Sequence, residues 1–147
     1  MKKHKLVIIA FCSLLLIVLL EYQKKTIYLT PEVTGYIYNG VTKKPLSSQI
    51  GKIIFEGFSD DDVIGIKLNQ DGSFTLQPIT KSYYFFQPNV RIYDGIRARL
   101  YIKFEKFQSN FFDYAPFYWK QVPEEKANFE HHNKINLGII YLNPEKP

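Results

Sequence analysis

Three consecutive aspartates, Asp60, Asp61 and Asp62, have the chemistry to bind a calcium ion. A calcium-binding loop spaces its oxygen ligands at alternating positions and adds a distant bidentate glutamate. Adjacent aspartates in a turn between two strands do not meet that spacing. We therefore expect a solvated turn at 60–62 and no calcium site.

A second cluster, Glu130 with His131 and His132, has the residue types of a transition-metal site. Adjacent side chains on a strand point to opposite faces, and the only cysteine, Cys12, is remote in the sequence. The sequence assembles no Ser/His/Asp set and contains no glycine-rich phosphate loop. We predict no metal, no cofactor and no catalytic residue, hence a protein that is not an enzyme. A catalytic pair of carboxylates stays open, because nothing in the sequence selects or excludes one.

Aromatic residues concentrated between 107 and 120 indicate a contact surface. They are Phe107, Phe111, Phe112, Tyr114, Phe117, Tyr118 and Trp119. Asp113, Pro116 and Lys120 interrupt this aromatic segment, which favours a loop over a regular strand. Either the rings fill the end of a core, or they contact a partner protein, a glycan or a membrane interface. For the second interpretation the candidate partner-binding residues are Tyr114, Phe117, Tyr118 and Trp119.

A second candidate contact surface is basic. Between Asn89 and Phe104 apolar residues recur at every second position, and Asp94-Gly95 would supply a type I′ turn. The pattern predicts a hairpin with one core face and one basic face. The residues of this basic surface are Arg91, Arg97, Arg99 and Lys103. It is either an ordinary solvated sheet face or a docking face for an acidic partner or anionic head groups.

The scaffold that must position these residues is predicted to be all-β. The chain is 46% apolar and 22% charged, as in folded domains, and its 16% aromatic content favours strands over helices. Strand patterns bounded by turn residues lie at 33–38, 50–58, 63–68, 73–77, 89–104 and 135–142. Seven or eight strands predict a Greek-key β-sandwich over 33–143, with room for one short helix between Pro123 and His132.

Three short motifs and the last predicted strand point to a family. The motifs are Val33-x-Gly35-x-Ile-x-Asn39, Lys44-Pro-Leu46 and Asp71-Gly-Ser-Phe74, and the strand is Asn136–Leu142. Together they resemble a carboxypeptidase regulatory-like domain, over 33–77 and 135–142, while 78–134 departs from the family and is longer. The resemblance implies a transthyretin-like β-sandwich that binds or supports a partner without catalysing a reaction. The His, Arg and Tyr-Arg-Gly-Ser features of transthyretin-like hydrolases of urate breakdown are absent, so that activity is not implied.

The N-terminus has the pattern of an export signal. Lys2, Lys3 and Lys5 form a basic n-region, and an apolar run of 15 residues follows from Leu6 to Leu20. Three interpretations compete: a cleaved signal, a lipoprotein signal and an uncleaved anchor. Cleavage needs small residues before the cut, and none stands near residue 20. Lipidation at Cys12 is disfavoured because the apolar run continues well beyond it.

The uncleaved anchor is the interpretation that we favour. A helix of 15 residues spans about 22 Å, against about 30 Å for a hydrocarbon core, and Tyr22 with the flanking lysines can make up the difference. The basic n-region predicts a cytoplasmic N-terminus. We thus expect a cytoplasmic n-region at 1–5, a transmembrane signal-anchor at 6–21, a linker at 22–32 and the sandwich at 33–143. The location would be the bacterial inner membrane, with the domain in the periplasm; a soluble periplasmic protein after cleavage is the alternative.

The charge of the exported part gives little support to a nucleic-acid partner. The net charge is +5, but without Lys2, Lys3, Lys5 and Glu21 the chain keeps 16 basic and 13 acidic residues, a net of +3. Such a surface is ordinary for a solvated domain. We therefore expect a membrane-anchored, non-catalytic domain that binds a partner protein, with an immunity protein against a periplasm-delivered toxin as a specific version. The alternative is a structural or accessory subunit of an envelope assembly or secretion system.

Overall fold

Residues 2–58, 65–93 and 96–146, which the computed structural model describes, form nine β-strands and two α-helices. The helices are α1 (Lys2–Tyr22) and α2 (Ala115–Gln121), and the strands are β1 (Lys25–Tyr28), β2 (Glu32–Asn39), β3 (Ile50–Phe55), β4 (Ile66–Lys67), β5 (Ser73–Leu76), β6 (Thr80–Tyr83), β7 (Arg99–Phe104), β8 (Asn110–Asp113) and β9 (Lys134–Leu142). The prediction of a mainly β-sheet protein is confirmed. The turns expected at 60–62 and at 94–95 lie outside the described residues.

The strands belong to three sheets, and two of these enclose the core. One sheet has the order β5-β2-β9, the second β4-β3-β7-β8, and β1 and β6 form a separate two-stranded ribbon. In the described part, β2 and β9 are parallel and every other strand pair is antiparallel. A single hydrophobic cluster takes its side chains from both larger sheets, which makes the arrangement sandwich-like.

Period-two alternation explains which side chains enter this core. On β7, Leu100, Ile102 and Phe104 are buried, and each contributes about 1.5–3 kcal/mol by leaving water. On β3, a Cβ atom at Gly51 would lie 2.4 Å from the Phe104 ring, so only glycine leaves the ring its space. The predicted core face of this part of the 89–104 segment is therefore confirmed.

A bulge in β9 keeps both halves of that strand facing the core. Ile135 and Leu137 are buried before it, and Ile140 and Leu142 after it, so the inward parity changes by one residue. Gly138 stands at the change with φ +67°, a left-handed conformation that glycine adopts without a steric cost. Because the bulge shifts the alternation by one residue, these four apolar side chains of β9 all point into the core.

The turn before β5 is fixed by local chemistry. The Ser73 amide donates to Asp71 Oδ1 at 3.0 Å, and hydrogen bonds from the Ser73 side chain and backbone hold the pKa of Asp71 below its ordinary value. Gly72 has φ +79°, and a Cβ atom there would lie 2.7 Å from the Ile37 carbonyl oxygen. Phe74 then enters the core. Each residue of this motif thus has a structural role.

The hairpin predicted over 89–104 is wrong in its first half. Val90–Tyr93 is a 3-10 turn, and the strand begins only at Arg99. The Arg91 amide donates to Asn89 Oδ1 at 3.1 Å, and this local turn competes with extended backbone. Consequently Ile92, an expected core residue, is exposed.

Three other segments also differ from the sequence-based expectation. The aromatic segment 107–120, expected to be a loop, contains β8 and α2, and the expected linker 22–32 contains β1. The stretch 123–132 holds a 3-10 turn at Glu124–Lys126, whereas the regular helix lies earlier in the chain. β1 and β8 form because they pair with β6 and β7, and such pairing with a separate segment leaves little trace in a local pattern.

α1 makes few contacts with the sheets. Its apolar side chains, where described, range from 51% exposed at Leu15 to 67% exposed at Ile9. Within the part of the chain that the structure describes, no helix reaches the length and apolarity needed to cross a membrane.

Candidate functional site

The aromatic segment is held by a strand and a helix that meet at Asp113. β8 pairs with β7, which sets Phe112 opposite Leu100 on the inner side. Asp113 Oδ1 then accepts a hydrogen bond from the Ala115 amide at 2.9 Å, and Pro116 occupies the first turn of α2, where its missing N–H costs nothing. After this change from strand to helix, Phe117 and Tyr118 still pack against the core, whereas Trp119 is exposed.

Half of the aromatic segment belongs to the core. Tyr114 is 7% exposed, and its ring packs edge-on against Phe55 with centroids 5.9 Å apart. Phe107 is also buried, and the half-buried rings of Phe112 and Phe117 contact each other at 5.6 Å. Tyr114, predicted to contact a partner at the surface, needs correction: its ring is buried in the core, and it also lines the cleft described next.

Tyr118 and Trp119, together with the buried Tyr114, border a cleft of about 360 Å³. We call it the aromatic cleft, because six aromatic residues line it beside smaller apolar and polar ones: Tyr28, Tyr93, Tyr114, Tyr118, Trp119 and Phe129, with His131 among the polar residues. Clefts of this size and apolar lining are typical binding sites. Sequence analysis found Tyr118 and Trp119 but missed Tyr28, Tyr93 and Phe129, which come from three distant segments.

Tyr118 and Trp119 have different surroundings within the aromatic cleft. The Tyr118 hydroxyl accepts a hydrogen bond from Asn133 Nδ2 at 3.1 Å, and Asn133 also donates to the Lys126 carbonyl oxygen at 2.8 Å. Burial raises the pKa of Tyr118, partly offset by that hydrogen bond. The Trp119 ring stands perpendicular to that of Tyr118 at 5.3 Å but is 66% exposed. A fixed ring thus supports an exposed one, as at many contact sites.

Tyr114 also contributes a polar group that the fold does not use. Its hydroxyl forms no hydrogen bond with any residue that the structure describes, although Tyr114 lines the aromatic cleft. Burial chiefly, then the nearby Tyr118 and Asp113, raises the pKa of Tyr114, so it stays neutral at physiological pH. The hydroxyl is therefore open to a ligand in the aromatic cleft that offers a hydrogen-bonding group.

His131 and His132 have separate environments. His131 lines the aromatic cleft, with Nδ1 2.8 Å from Asn128 Oδ1. His132 stacks on Tyr28 at 4.9 Å, and its Nε2 lies 3.0 Å from Glu32 Oε2. Among the described residues, no group of three or more His, Cys, Asp or Glu side chains could hold a metal ion.

The four residues of the basic surface do not share one strand face. Arg99 and Lys103 lie on the outer side of β7, and each has an acid nearby: Arg99 Nη1 is 3.9 Å from Glu56 Oε2, and Lys103 Nζ forms an ion pair with Glu145. Arg91 is in the 3-10 turn, and Arg97 precedes the strand. The hairpin that was expected to align them is absent, so we do not treat them as one site.

Phe117, the remaining predicted contact residue, lies away from the aromatic cleft in a groove between α2 and β9. Gln121, in the same groove, donates to the Asn136 carbonyl oxygen at 2.8 Å and accepts from the Asn136 amide at 2.9 Å. These two bonds occupy an edge of β9 as a neighbouring strand would, which protects the edge. The groove therefore has a structural explanation that the aromatic cleft lacks.

Comparison with known proteins gave no match to a family model, a curated protein or a solved structure.

Proposed function

We propose that this protein is a membrane-anchored, non-catalytic binding domain that faces the periplasm and holds a partner protein in the aromatic cleft. The observation that carries the proposal is the pairing of Tyr118, fixed by Asn133, with Trp119, which is two-thirds exposed beside a cleft of about 360 Å³. Tryptophan and tyrosine dominate the binding energy of protein interfaces. The partner would insert one apolar or aromatic side chain with a polar tip, which the free Tyr114 hydroxyl could bind.

The anchor rests on the sequence of the whole run Leu6–Leu20 and its basic flank. The exposure of the described apolar side chains on α1 agrees with it, because a helix that is apolar all round needs an apolar surrounding. Mass spectrometry of the mature N-terminus tests this part. Retention of residues near Met1 is expected, and a mature chain that starts near residue 21 would make the protein soluble in the periplasm.

For the fold we propose the transthyretin-like Greek-key topology of carboxypeptidase regulatory-like domains. Its support is that the motif residues converge: a Cβ atom at Gly35 would lie 3.1 Å from the Phe74 ring, and Leu46 is buried in the same core. The chain also passes repeatedly between the two larger sheets, from β2 to β3, from β4 to β5, from β5 to β7 and from β8 to β9. Such domains in other proteins support or bind a partner. The specific version of the proposal is an immunity protein that binds a toxin and covers its surface.

The test is capture of the partner by the full chain in detergent. Tyr118→Ala with Trp119→Ala removes both rings, and we expect affinity to fall by about 30-fold or more, the effect of a 2 kcal/mol hot spot. Phe111→Ala is the matched control, since Phe111 is an exposed aromatic residue of the same segment outside the aromatic cleft. Equal capture by the double variant and wild type, with unfolding unchanged, would reject the aromatic cleft as the binding site.

Charge reversal separates the basic surface from the aromatic cleft. Arg97→Glu with Arg99→Glu should change affinity only a few-fold, because Arg99 already faces Glu56 and exposed charges contribute little. A loss as large as that of the ring variant would assign the partner to the basic surface.

The second candidate is an accessory subunit of an envelope assembly. Its specific support is the outer face of the β5-β2-β9 sheet, where Tyr36, Ile139 and Tyr141 are exposed, and Lys43 Nζ lies 4.2 Å from the Tyr141 ring centroid. Exposed apolar faces of this kind mark assembly surfaces. Loss of capture on Tyr36→Ser with Ile139→Ser, and not on the ring variant, would favour this function. A toxin gene or secretion genes beside the coding sequence would separate the two further.

A further inference from the structure

Three consecutive large side chains after β6 are exposed: Tyr84 by 41%, Phe85 by 71% and Phe86 by 90%. We call them the 84–86 loop. None of the three belongs to the core cluster or packs against it. Runs of exposed apolar residues are uncommon on water-facing loops and usually mark a contact with a protein or a membrane.

The 84–86 loop lies beside the end of α1. In the β1–β6 ribbon Lys25 pairs with Tyr83, so Tyr84 is the first residue beyond the ribbon on the side where α1 enters it. The Tyr84 hydroxyl donates to Glu21 Oε1 at 3.4 Å, one residue before α1 ends at Tyr22. The loop and the last turn of α1 are therefore neighbours.

Apart from Glu21, the segments around the loop carry positive charge. Residues 22–31 and 79–93 contain no Asp or Glu, while they include Lys24, Lys25, Lys81 and Arg91. Tyr22, at the end of α1, is 85% exposed. Aromatic rings mixed with lysines at the end of an apolar helix are the composition of a membrane–water interface, and the cations complement anionic head groups.

We infer that the 84–86 loop inserts into the interfacial region of the membrane in which α1 anchors the chain. Lys24 and Lys25 would then lie against anionic lipid head groups. This inference rests on the proposed anchor and deepens it. A lipid surface fits better than a protein partner, because Tyr84 contacts the last turn of the apolar helix α1, and Lys24 and Lys25 follow that turn to offset the one carboxylate beside the loop, Glu21. β1 runs from Lys25 to Tyr28, and Tyr28 lines the aromatic cleft. The three residues between these ends of the strand span about 10 Å. Docking would thus hold that cleft close to the membrane.

Tryptophan fluorescence of the full chain tests the inference, since Trp119 is the only tryptophan. In a Trp119→Phe background, Phe86→Trp and Phe111→Trp each place one reporter at an exposed aromatic position. The chains are reconstituted in phosphatidylethanolamine–phosphatidylglycerol vesicles whose acyl chains are brominated near the head group. We expect quenching of the reporter at position 86 to exceed that at position 111 several-fold, and to weaken when phosphatidylglycerol is replaced by phosphatidylcholine.

Vesicle flotation keeps the two proposals apart. If the chain floats with the vesicles and both reporters are quenched equally, the loop inference is wrong while the anchor stands. If the chain does not float, the loop inference and the proposed anchor are both wrong. Shielding of position 86 only after a partner protein is added would make the loop a protein interface and also overturn the inference. Because Phe86 is 90% exposed, its substitution should leave unfolding unchanged.

Discussion

Two aromatic-rich segments of this protein look alike in the sequence and behave differently in the structure. In the 84–86 loop three successive side chains are exposed, whereas in the aromatic segment 107–120 buried and exposed rings are mixed. The second segment has a neighbour, because β8 pairs with β7 and α2 follows at once. The first lies beyond the end of a two-stranded ribbon, where no strand is opposite. Aromatic content alone therefore does not decide whether a ring enters the core.

The largest expected difference between the two segments concerns stability. Tyr114→Ala removes a ring that is 7% exposed and should lower the free energy of unfolding by roughly 3 kcal/mol, as for other buried aromatic residues. Phe86→Ala should change it by less than about 0.5 kcal/mol, because that ring contacts water. Chemical unfolding of the full chain in detergent measures both. Similar losses for the two variants would contradict the contrast.

A smaller effect should separate neighbours within β8. Phe112→Ala removes a half-buried ring that packs on Phe117 and should cost roughly 1.5 kcal/mol. Phe111→Ala, on the outer side, should cost less than about 0.5 kcal/mol apart from its contact with Tyr101. The same unfolding measurement applies. If the order of the two variants is reversed, the orientation of β8 is wrong.

The smallest expected effect, about 1.4 kcal/mol at pH 11, is a dependence of stability on alkaline pH. Above the ordinary tyrosine pKa of about 10, the unfolded chain loses the Tyr114 proton while the folded chain retains it. Ionisation then favours the unfolded state, so stability falls as the pH rises above about 10. Tyr114→Phe should leave stability at neutral pH almost unchanged, because the hydroxyl forms no hydrogen bond with a described residue, and should weaken the alkaline loss. An alkaline loss as steep in Tyr114→Phe as in wild type would show that other groups cause it.

The sequence predicted those parts of the fold that depend on local patterns. The strands at 33–38, 73–77 and 135–142 are present within one or two residues of the predicted bounds, as are the Asp71-Gly72 turn and the buried Phe74. The sequence-based prediction failed where the local pattern was misleading. Alternation over 89–104 continued through Val90–Tyr93, but the Asn89 side chain turns the backbone there. β1 and β6 were missed because each owes its strand form to the other.

The candidate site could be predicted only in part for a related reason. Tyr118 and Trp119 stand in a conspicuous aromatic segment, so composition alone identified them. Tyr28, Tyr93 and Phe129 join them through contacts between segments that no spacing rule connects. Composition also could not separate Tyr114, which faces the core, from Trp119, which faces solvent. That separation needs the change from strand to helix at Asp113.

Site-specific photo-crosslinking in intact membranes tests the central claim most directly. A photoreactive amino acid replaces Trp119 in the full chain, and the same substitution at Phe111 serves as the control position. The aromatic cleft predicts one defined protein adduct from position 119 that is absent at position 111 and is lost with Tyr118→Ala. The same adducts from both positions, or none from position 119 while the chain still captures its partner, would contradict the claim.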